Sequence, residues 1–239
     1  MATLNELAYN ILNIARGGLS SDDDRLNIRQ IKFWIKYYRA MVVKDSLTPK
    51  TRYDDVNKAV DPQLVQDMGV LELEEVDVAD SPLVQYGCSI KRVEIPKIMD
   101  LPNNKGMVYA GSVDKTCTFI MSDANVVGLK QHQRFTGQMR RCFFIGEYLY
   151  VTDPFNEDLK YINVRAIFDD PALVVRTEAD GTKVTYSSDD EYPIPVSMIA
   201  EITALIMQRE LQMTIQGTND EKNDSREPNT PINDSTQVE

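Results

Sequence analysis

Histidine, cysteine and long apolar runs are all scarce in this chain of 239 residues. The single histidine, His132, cannot build a two-histidine zinc site or a facial triad of metal ligands. The three cysteines, Cys88, Cys117 and Cys142, form no C-x-x-C pair, which favours buried free thiols over disulfides or a thiolate metal site. No apolar run approaches the roughly 18 to 20 residues that span a bilayer. The sequence therefore predicts no metal site, no disulfide and no membrane partner.

Nucleotide and cofactor motifs are also missing. The segment 106–112 has the glycine spacing of a P-loop but lacks the Lys and Ser/Thr pair that must follow, and no G-x-G-x-x-G string occurs. We therefore expect no cofactor. Neighbouring carboxylates are the pattern that a hydrolase would use, and chance alone produces them in a chain with 37 acidic residues. These groups are Asp22 to Asp24, Asp54-Asp55, Glu74-Glu75, Asp169-Asp170 and Asp189-Asp190.

The formal net charge of the chain is −11, which leaves little attraction for polyanions. A chain that is negative overall repels phosphate backbones, so broad nucleic-acid binding is not expected. The N-terminal segment MATLNELAYN has no basic residue and carries Glu6, so we expect no secretory signal there.

The N-terminal part of the chain shows the residue patterns of helices. Thr3 and Glu6 form a capping box, which predicts a helix over 4–16 that ends at Gly17-Gly18. The run 20–24, with its serines and aspartates, suits the positive end of a second helix, which we expect to reach about residue 44.

Two further helices are predicted from their first residues. Asp61 and Pro62 suit the cap and first position of a short helix that ends at Gly69. Ser197 suits the cap of a last helix over about 198–216.

The middle of the chain reads as β-structure, because apolar and polar residues alternate from about residue 70 and in the segment 89–95. Gly146-Glu147 and Asp180-Gly181 are typical of two-residue hairpin turns. In the first hairpin, the predicted register places Phe144 opposite Leu149 and Ile145 opposite Tyr148. In the second, it places Glu178 opposite Lys183 and Thr177 opposite Val184.

The predicted fold class is α+β, with the terminal helices packed together as a small bundle beside a central antiparallel β-rich domain. We expect a helical region over 1–69, a β-rich domain over 70–192, and a helix within 193–216 that packs on the helical region. Residues 217–239 contain only two apolar residues, Ile232 and Val238, too few to offset the entropy of ordering. This acidic tail is predicted to be disordered in the isolated protein.

The strongest local charge contrast lies on the second helix. Residues 25–44 hold six basic and no acidic residues, so the rest of the chain carries −17. Helical spacing puts five of them on one stripe: Arg25, Arg29, Lys32, Lys36 and Arg39. The stripe is either a solvated face, a contact to an acidic surface of a partner or identical subunit, or a nucleic-acid contact.

Apolar residues on two sides of the helices favour the contact to a protein, because some apolar surface is then covered only by a neighbour. The candidate interface adds to the stripe five apolar or aromatic residues: Trp34, Tyr37, Met207, Leu211 and Ile215.

Five segments of the chain are distinctive: NELAYNILNIARGG and RQIKFWIKYYRAMV near the start, then CFFIGEYLYV, KYINVRAIFDDP and YPIPVSMIAEITALIMQRELQM. Together they resemble a family of structural proteins from crAss-like tailed phages of gut Bacteroidales. The resemblance covers roughly 1–45 and 140–217. It implies a non-enzymatic virion protein of the neck or tail, a ring or head-to-tail adaptor assembled in the cytoplasm of the bacterial host.

The resemblance also implies the partners. They are further copies of the chain in a ring, a dodecamer if the ring matches portal symmetry, together with the portal protein and other tail ring proteins. Genomic DNA would pass through the lumen without sequence-specific binding. Two alternatives stay open at this point: a capsid-side or decoration protein of the same virion, and a hydrolase that uses a carboxylate pair.

Overall fold

The computed structural model describes residues 2–16, 26–49, 59–76, 89–131, 133–153, 159–178 and 180–212. Its helices are α1 (Leu4–Ala15), α2 (Ile28–Leu47), α3 (Ala124–Gln131) and α4 (Val196–Ile206), and a π-helical turn, Met207–Leu211, extends α4. The predicted tail over 217–239 lies outside the described residues, as do Gly17-Gly18, the run 20–24, Cys88 and His132. No helix in the described ranges is both long enough and apolar enough to cross a bilayer.

The strands confirm the predicted α+β class. They are β1 (Gln66–Asp67), β2 (Leu71–Glu72), β3 (Glu74–Glu75), β4 (Ser89–Glu94), β5 (Met107–Gly111), β6 (Ile120–Met121), β7 (Arg141–Ile145), β8 (Tyr148–Asp153), β9 (Tyr161–Ala166), β10 (Val175–Thr177) and β11 (Lys183–Thr185). One sheet has the order β3-β4-β8-β7-β6, and β9 joins β1 and β2 to β5 in a second. The pair β10–β11 stands apart.

The capping box of α1 is confirmed. The backbone N–H of Glu6 donates to Thr3 Oγ1 at 3.1 Å, and the N–H of Thr3 donates to Glu6 Oε2 at 2.9 Å. Helix α2 begins later than predicted, since Asn27 caps it by accepting from the N–H of Arg29. The predicted cap of the last helix is wrong, because Val196 opens α4 behind Pro195 and Ser197 is already helical.

Asp61 caps its short helix as predicted, accepting from the N–H of Gln63, with Pro62 at the first position. That helix ends at Leu64 rather than at Gly69. The chain is extended by Gln66–Asp67, where β1 pairs with β9, and this long-range pairing overrides the local helical preference.

The first hairpin has the predicted register, with Phe144 opposite Leu149 and Ile145 opposite Tyr148. The predicted register of the second is wrong by one residue, because Thr177 lies opposite Lys183. Gly181 has a φ of +85° and its N–H donates to Glu178 O at 3.0 Å. The loop is therefore one residue longer than expected, with glycine at its end.

Two large apolar clusters form the core. One joins α1, α2 and α4 to Tyr192 and Ile194. The other fills the space between the sheets and includes Phe168 and Val174. A smaller cluster connects them, in which Val43 and Leu47 of α2 pack against Met99 and Ile167. Helix α2 is thus fixed against the helices on one side and against the β-rich region near its C-terminal end.

Candidate functional site

The side of α2 that faces away from the core carries two exposed aromatic residues. Phe33 is 65% exposed and Tyr37 is 57% exposed, one helical turn apart. Arg29 is exposed beside them and Lys32 is half-buried. We call these four residues, Arg29, Lys32, Phe33 and Tyr37, the outward face of α2.

An open groove of about 250 Å³ continues this face toward the β-rich region. Its apolar lining comes from Tyr37, Ala40, Met41 and Met99, and its charged lining from Lys44, Lys97, Asp100 and Asp169. The ammonium of Lys97 lies 2.9 Å from Asp169 Oδ2, and this hydrogen bond and charge raise the pKa of Lys97. The site is an apolar strip with charged edges, and this composition suits a protein contact.

Lys36 occupies its predicted stripe but has a partner within the chain. Its ammonium donates to Asp170 Oδ2 at 2.9 Å, and the other oxygen of that carboxylate accepts from the N–H of Ala172. Lys36 therefore contributes less to the outward charge of α2 than the sequence alone indicates.

The placement of Arg39 on the exposed stripe is wrong, because Arg39 is completely buried. Its Nε donates to Pro193 O at 3.0 Å and its Nη1 to Phe168 O at 3.1 Å, and its guanidinium lies 5.7 Å from the centre of the Tyr192 ring. Burial lowers the pKa of Arg39. The residue follows Ile35 by four positions and so lies on nearly the same face of the helix as that core residue.

Of the apolar interface candidates that the structure describes, Tyr37 alone is largely exposed. Trp34 and Leu211 lie in the helical core cluster, and Met207 is half-buried against it, so the core of the chain itself uses them. Arg25 and Ile215 lie outside the described residues. Phe33 is an exposed residue that was not among the interface candidates, and the signal that could have found it is its helical position opposite the buried Ile31 and Ile35.

Tyr38 anchors the inner side of the same helix. Its hydroxyl donates to Glu210 Oε1 at 2.7 Å, and burial together with this hydrogen bond raises the pKa of Tyr38 to about 12. Glu210 belongs to the π-helical turn after α4. The contact holds α2 in register with the end of α4 and so sets which residues face outward.

The described carboxylate pairs have structural partners. Asp169 and Asp170 are held by Lys97 and Lys36, and the N–H of Ser187 donates to Asp190 at 2.7 Å. Glu74 lies 3.8 Å from Arg92 Nε. Among the residues that the structure describes, no group of three or more His, Cys, Asp or Glu side chains is placed to hold a metal ion.

Comparison of the chain with curated proteins gives no match. A family model described as phage tail ring protein 2, CrAss_Ring_2, matches residues 6–235, which is nearly the whole chain. The match confirms the resemblance seen in the terminal segments and includes the middle of the chain, which that resemblance did not cover. The protein therefore belongs to this family of crAss-like phage tail ring proteins and has a structural role in the virion.

Proposed function

We propose that this chain forms a ring in the neck of the virion, joins the capsid portal to the tail and surrounds the path of the genome, without enzymatic activity. The observation that carries the proposal is the outward face of α2. Two exposed aromatic residues with basic neighbours are unusual on a helix that is otherwise well packed, and aromatic residues and arginine are enriched at protein interfaces. The family supplies the ring, and this face supplies a surface by which a ring subunit contacts a neighbour.

The neighbour across this face is proposed to be acidic. In a ring each subunit presents one surface to the copy before it and a different surface to the copy after it. With −11 net charge on the whole chain and basic residues concentrated on α2, the remaining surface of a second copy is negative. Opposite potentials then guide the approach and select the orientation. A dodecamer is the proposed ring size if the ring matches portal symmetry.

The surplus negative charge is also proposed to line the lumen. Like charges repel, so a negative channel wall lets DNA slide without binding to it. A structure of the assembled ring with an electropositive lumen would contradict this part of the proposal and leave the ring itself unaffected.

The first test is the native mass of the purified protein by light scattering, alone and mixed with the portal protein of the same phage. One copy bound per portal subunit is the expected result. A protein that never binds the portal contradicts the adaptor role. Its copy number in the virion then decides between a lower tail ring and a decoration protein of the shell.

The second test reverses charge on the outward face with Arg29→Glu and Lys32→Glu together. Lys36→Glu is avoided because it would break the internal contact to Asp170. We expect the double variant to fold normally and to lose assembly. The matched control, Arg176→Glu with Lys183→Glu, reverses two charges on β10 and β11 and is expected to assemble like the wild type. Equal assembly of both double variants would mean that the face is only solvated.

A further inference from the structure

The loop before β7 presents the most exposed large apolar side chain of the described residues. Phe135 is 86% exposed, and the guanidinium of Arg134 lies 5.6 Å from the centre of its ring. Within the loop the N–H of Gly137 donates to Gln133 O at 2.8 Å, and Arg141 Nη2 donates to Thr136 O at 2.6 Å. An ordered loop thus holds the phenyl ring of Phe135 in solvent, which reduces the conformational entropy that is lost when this side chain binds a partner.

A second groove, of about 220 Å³, opens near the other end of the same strand. Its apolar lining is Ile98, Met99, Leu101, Met107, Met121 and Phe144, and we call it the methionine groove. Met107 and Met121 are half-buried at this surface, whereas Met99 is buried. Thioether side chains adapt to the shape of a partner and make favourable contacts with aromatic rings. A surface with two accessible methionines therefore suits an inserted phenyl ring.

The loop that holds Phe135 and the methionine groove meet β7 at different points. The loop leads into Arg141, whereas Phe144 and Gly146, at and just beyond the end of the strand, line the groove. The three steps of extended strand from Arg141 to Phe144 span about 10 Å. The exposure of Phe135 agrees with this separation, since its ring does not reach the groove of its own chain. A head-to-tail contact requires two different, complementary patches on one subunit, and Phe135 and the methionine groove are such a pair.

The charged residues beside the two patches are also complementary. Asp100 is an exposed carboxylate at the edge of the methionine groove. Arg134 stacks beside the aromatic ring that would enter, so its guanidinium would arrive next to Asp100. Lys97, on the same edge, already contacts Asp169.

We infer that Phe135 of one copy inserts into the methionine groove of the next copy, with Arg134 beside Asp100. The inference rests on the proposed ring and specifies one of the contacts that close it. The occupant is a second copy of this chain and no third component is needed. A single loop buries less area than a stable dimer needs, so the pairwise contact is weak, and closure of the ring strengthens it because each subunit is then held on both sides.

The test measures self-association of the purified protein by sedimentation velocity up to millimolar concentration. Phe135→Asp is expected to weaken association by roughly tenfold to a hundredfold, as for a central aromatic anchor. Because this variant keeps an intact groove, it should still cap wild-type oligomers at one end. Val196→Asp is the control, since Val196 is 67% exposed at the start of α4 and belongs to neither patch. It should associate like the wild type.

Photo-crosslinking locates the contact. A benzophenone amino acid at position 135 reacts readily with methionine side chains, so peptide mapping is expected to find links to Met107 or Met121 of a second copy. Links elsewhere, unchanged association of Phe135→Asp, or a wild type that stays monomeric at every concentration would each overturn the inference. The proposed function is tested separately by portal binding. Failure of the proposed function and failure of this inference are therefore distinguishable.

Discussion

Among single residues, Arg39 connects the helical core cluster to the core between the sheets. From the middle of α2 it donates to carbonyl oxygens on both sides of the β10–β11 hairpin, Phe168 O before it and Pro193 O after it. Both carbonyls would lack this donor if the side chain were removed. A buried guanidinium that makes two such bonds acts as a brace, and its position, four residues after Ile35, explains why it is not available to a partner.

Arg39→Met is expected to lower the free energy of unfolding by about 3 kcal/mol, because two buried acceptors lose a charged donor. Urea unfolding followed by the fluorescence of Trp34, the single tryptophan and a core residue, measures the change. Arg29→Met removes an exposed arginine from the same helix and should change stability by less than about 0.5 kcal/mol. Equal effects of the two variants would contradict the brace.

Two tyrosines with raised pKa values, the buried Tyr38 and the half-buried Tyr186, predict a loss of stability in alkali. Burial raises the pKa of Tyr38 and of Tyr186 to about 12, whereas an unfolded tyrosine titrates near pH 10. Above about pH 10 the unfolded chain therefore loses these protons first, and stability falls as the pH rises toward about 12. Unfolding measured across this range should show a smaller fall for Tyr38→Phe than for the wild type. The exposed Tyr9→Phe serves as the control.

A helix or turn can be predicted from the sequence where the residues that specify it are close to it in the chain. The capping box of Thr3 and Glu6 and the turn at Gly146 lie within a few residues of the structure they set, and both predictions are confirmed. The helix predicted to reach Gly69 is wrong because β9, about a hundred residues later, pairs with β1. The contact of Lys36 with Asp170 likewise joins residues 134 positions apart, and no local pattern predicts it.

Two glycines in left-handed conformations allow a matched test. Gly69 has a φ of +74° and Gly146 a φ of +62°. A Cβ at Gly69 would lie 1.9 Å from Thr177 O, whereas nothing lies within 4 Å of one at Gly146. Gly146→Ala should therefore lower stability by about 1 kcal/mol, through backbone strain alone. Gly69→Ala should lower it by about 3 kcal/mol or more, since the backbone of Thr177 must move. Thermal unfolding measures both, and equal losses would contradict the argument.

For the whole molecule, the candidate site is only partly predictable. Charge contrast and helical spacing identified α2 as the exposed basic element, but they could not show that Trp34 and Arg39 face the core and Phe33 does not. That choice depends on which side α1 and α4 cover. The methionine groove is less predictable still, because Met99, Met107 and Met121 come from three segments that only the folded chain brings together.

Deletion of residues 218–239 tests whether the acidic tail, which the sequence predicts to be disordered in the isolated protein, contributes to assembly by docking onto a neighbour. The described core ends at Leu211, so the free energy of unfolding should stay within about 0.5 kcal/mol of the full chain. Incorporation into the assembled neck is expected to fall, because a tail that folds on binding adds contacts to a neighbour. Pull-down with the portal protein compares the two chains. Unchanged incorporation would mean that the tail serves solubility alone.

The helical core is built from both ends of the chain, and this has a consequence for synthesis. The ribosome delivers α1 and α2 first and α4 only after strands β1 to β11. Helix α2 cannot complete its packing, nor Tyr38 meet Glu210, until residue 210 has left the exit tunnel. In a nascent subunit, α2 therefore lacks its contacts with α4 for most of the time of translation. Only chains that extend through the end of α4 can complete the packing of α2, so products that end before it are expected not to enter the ring.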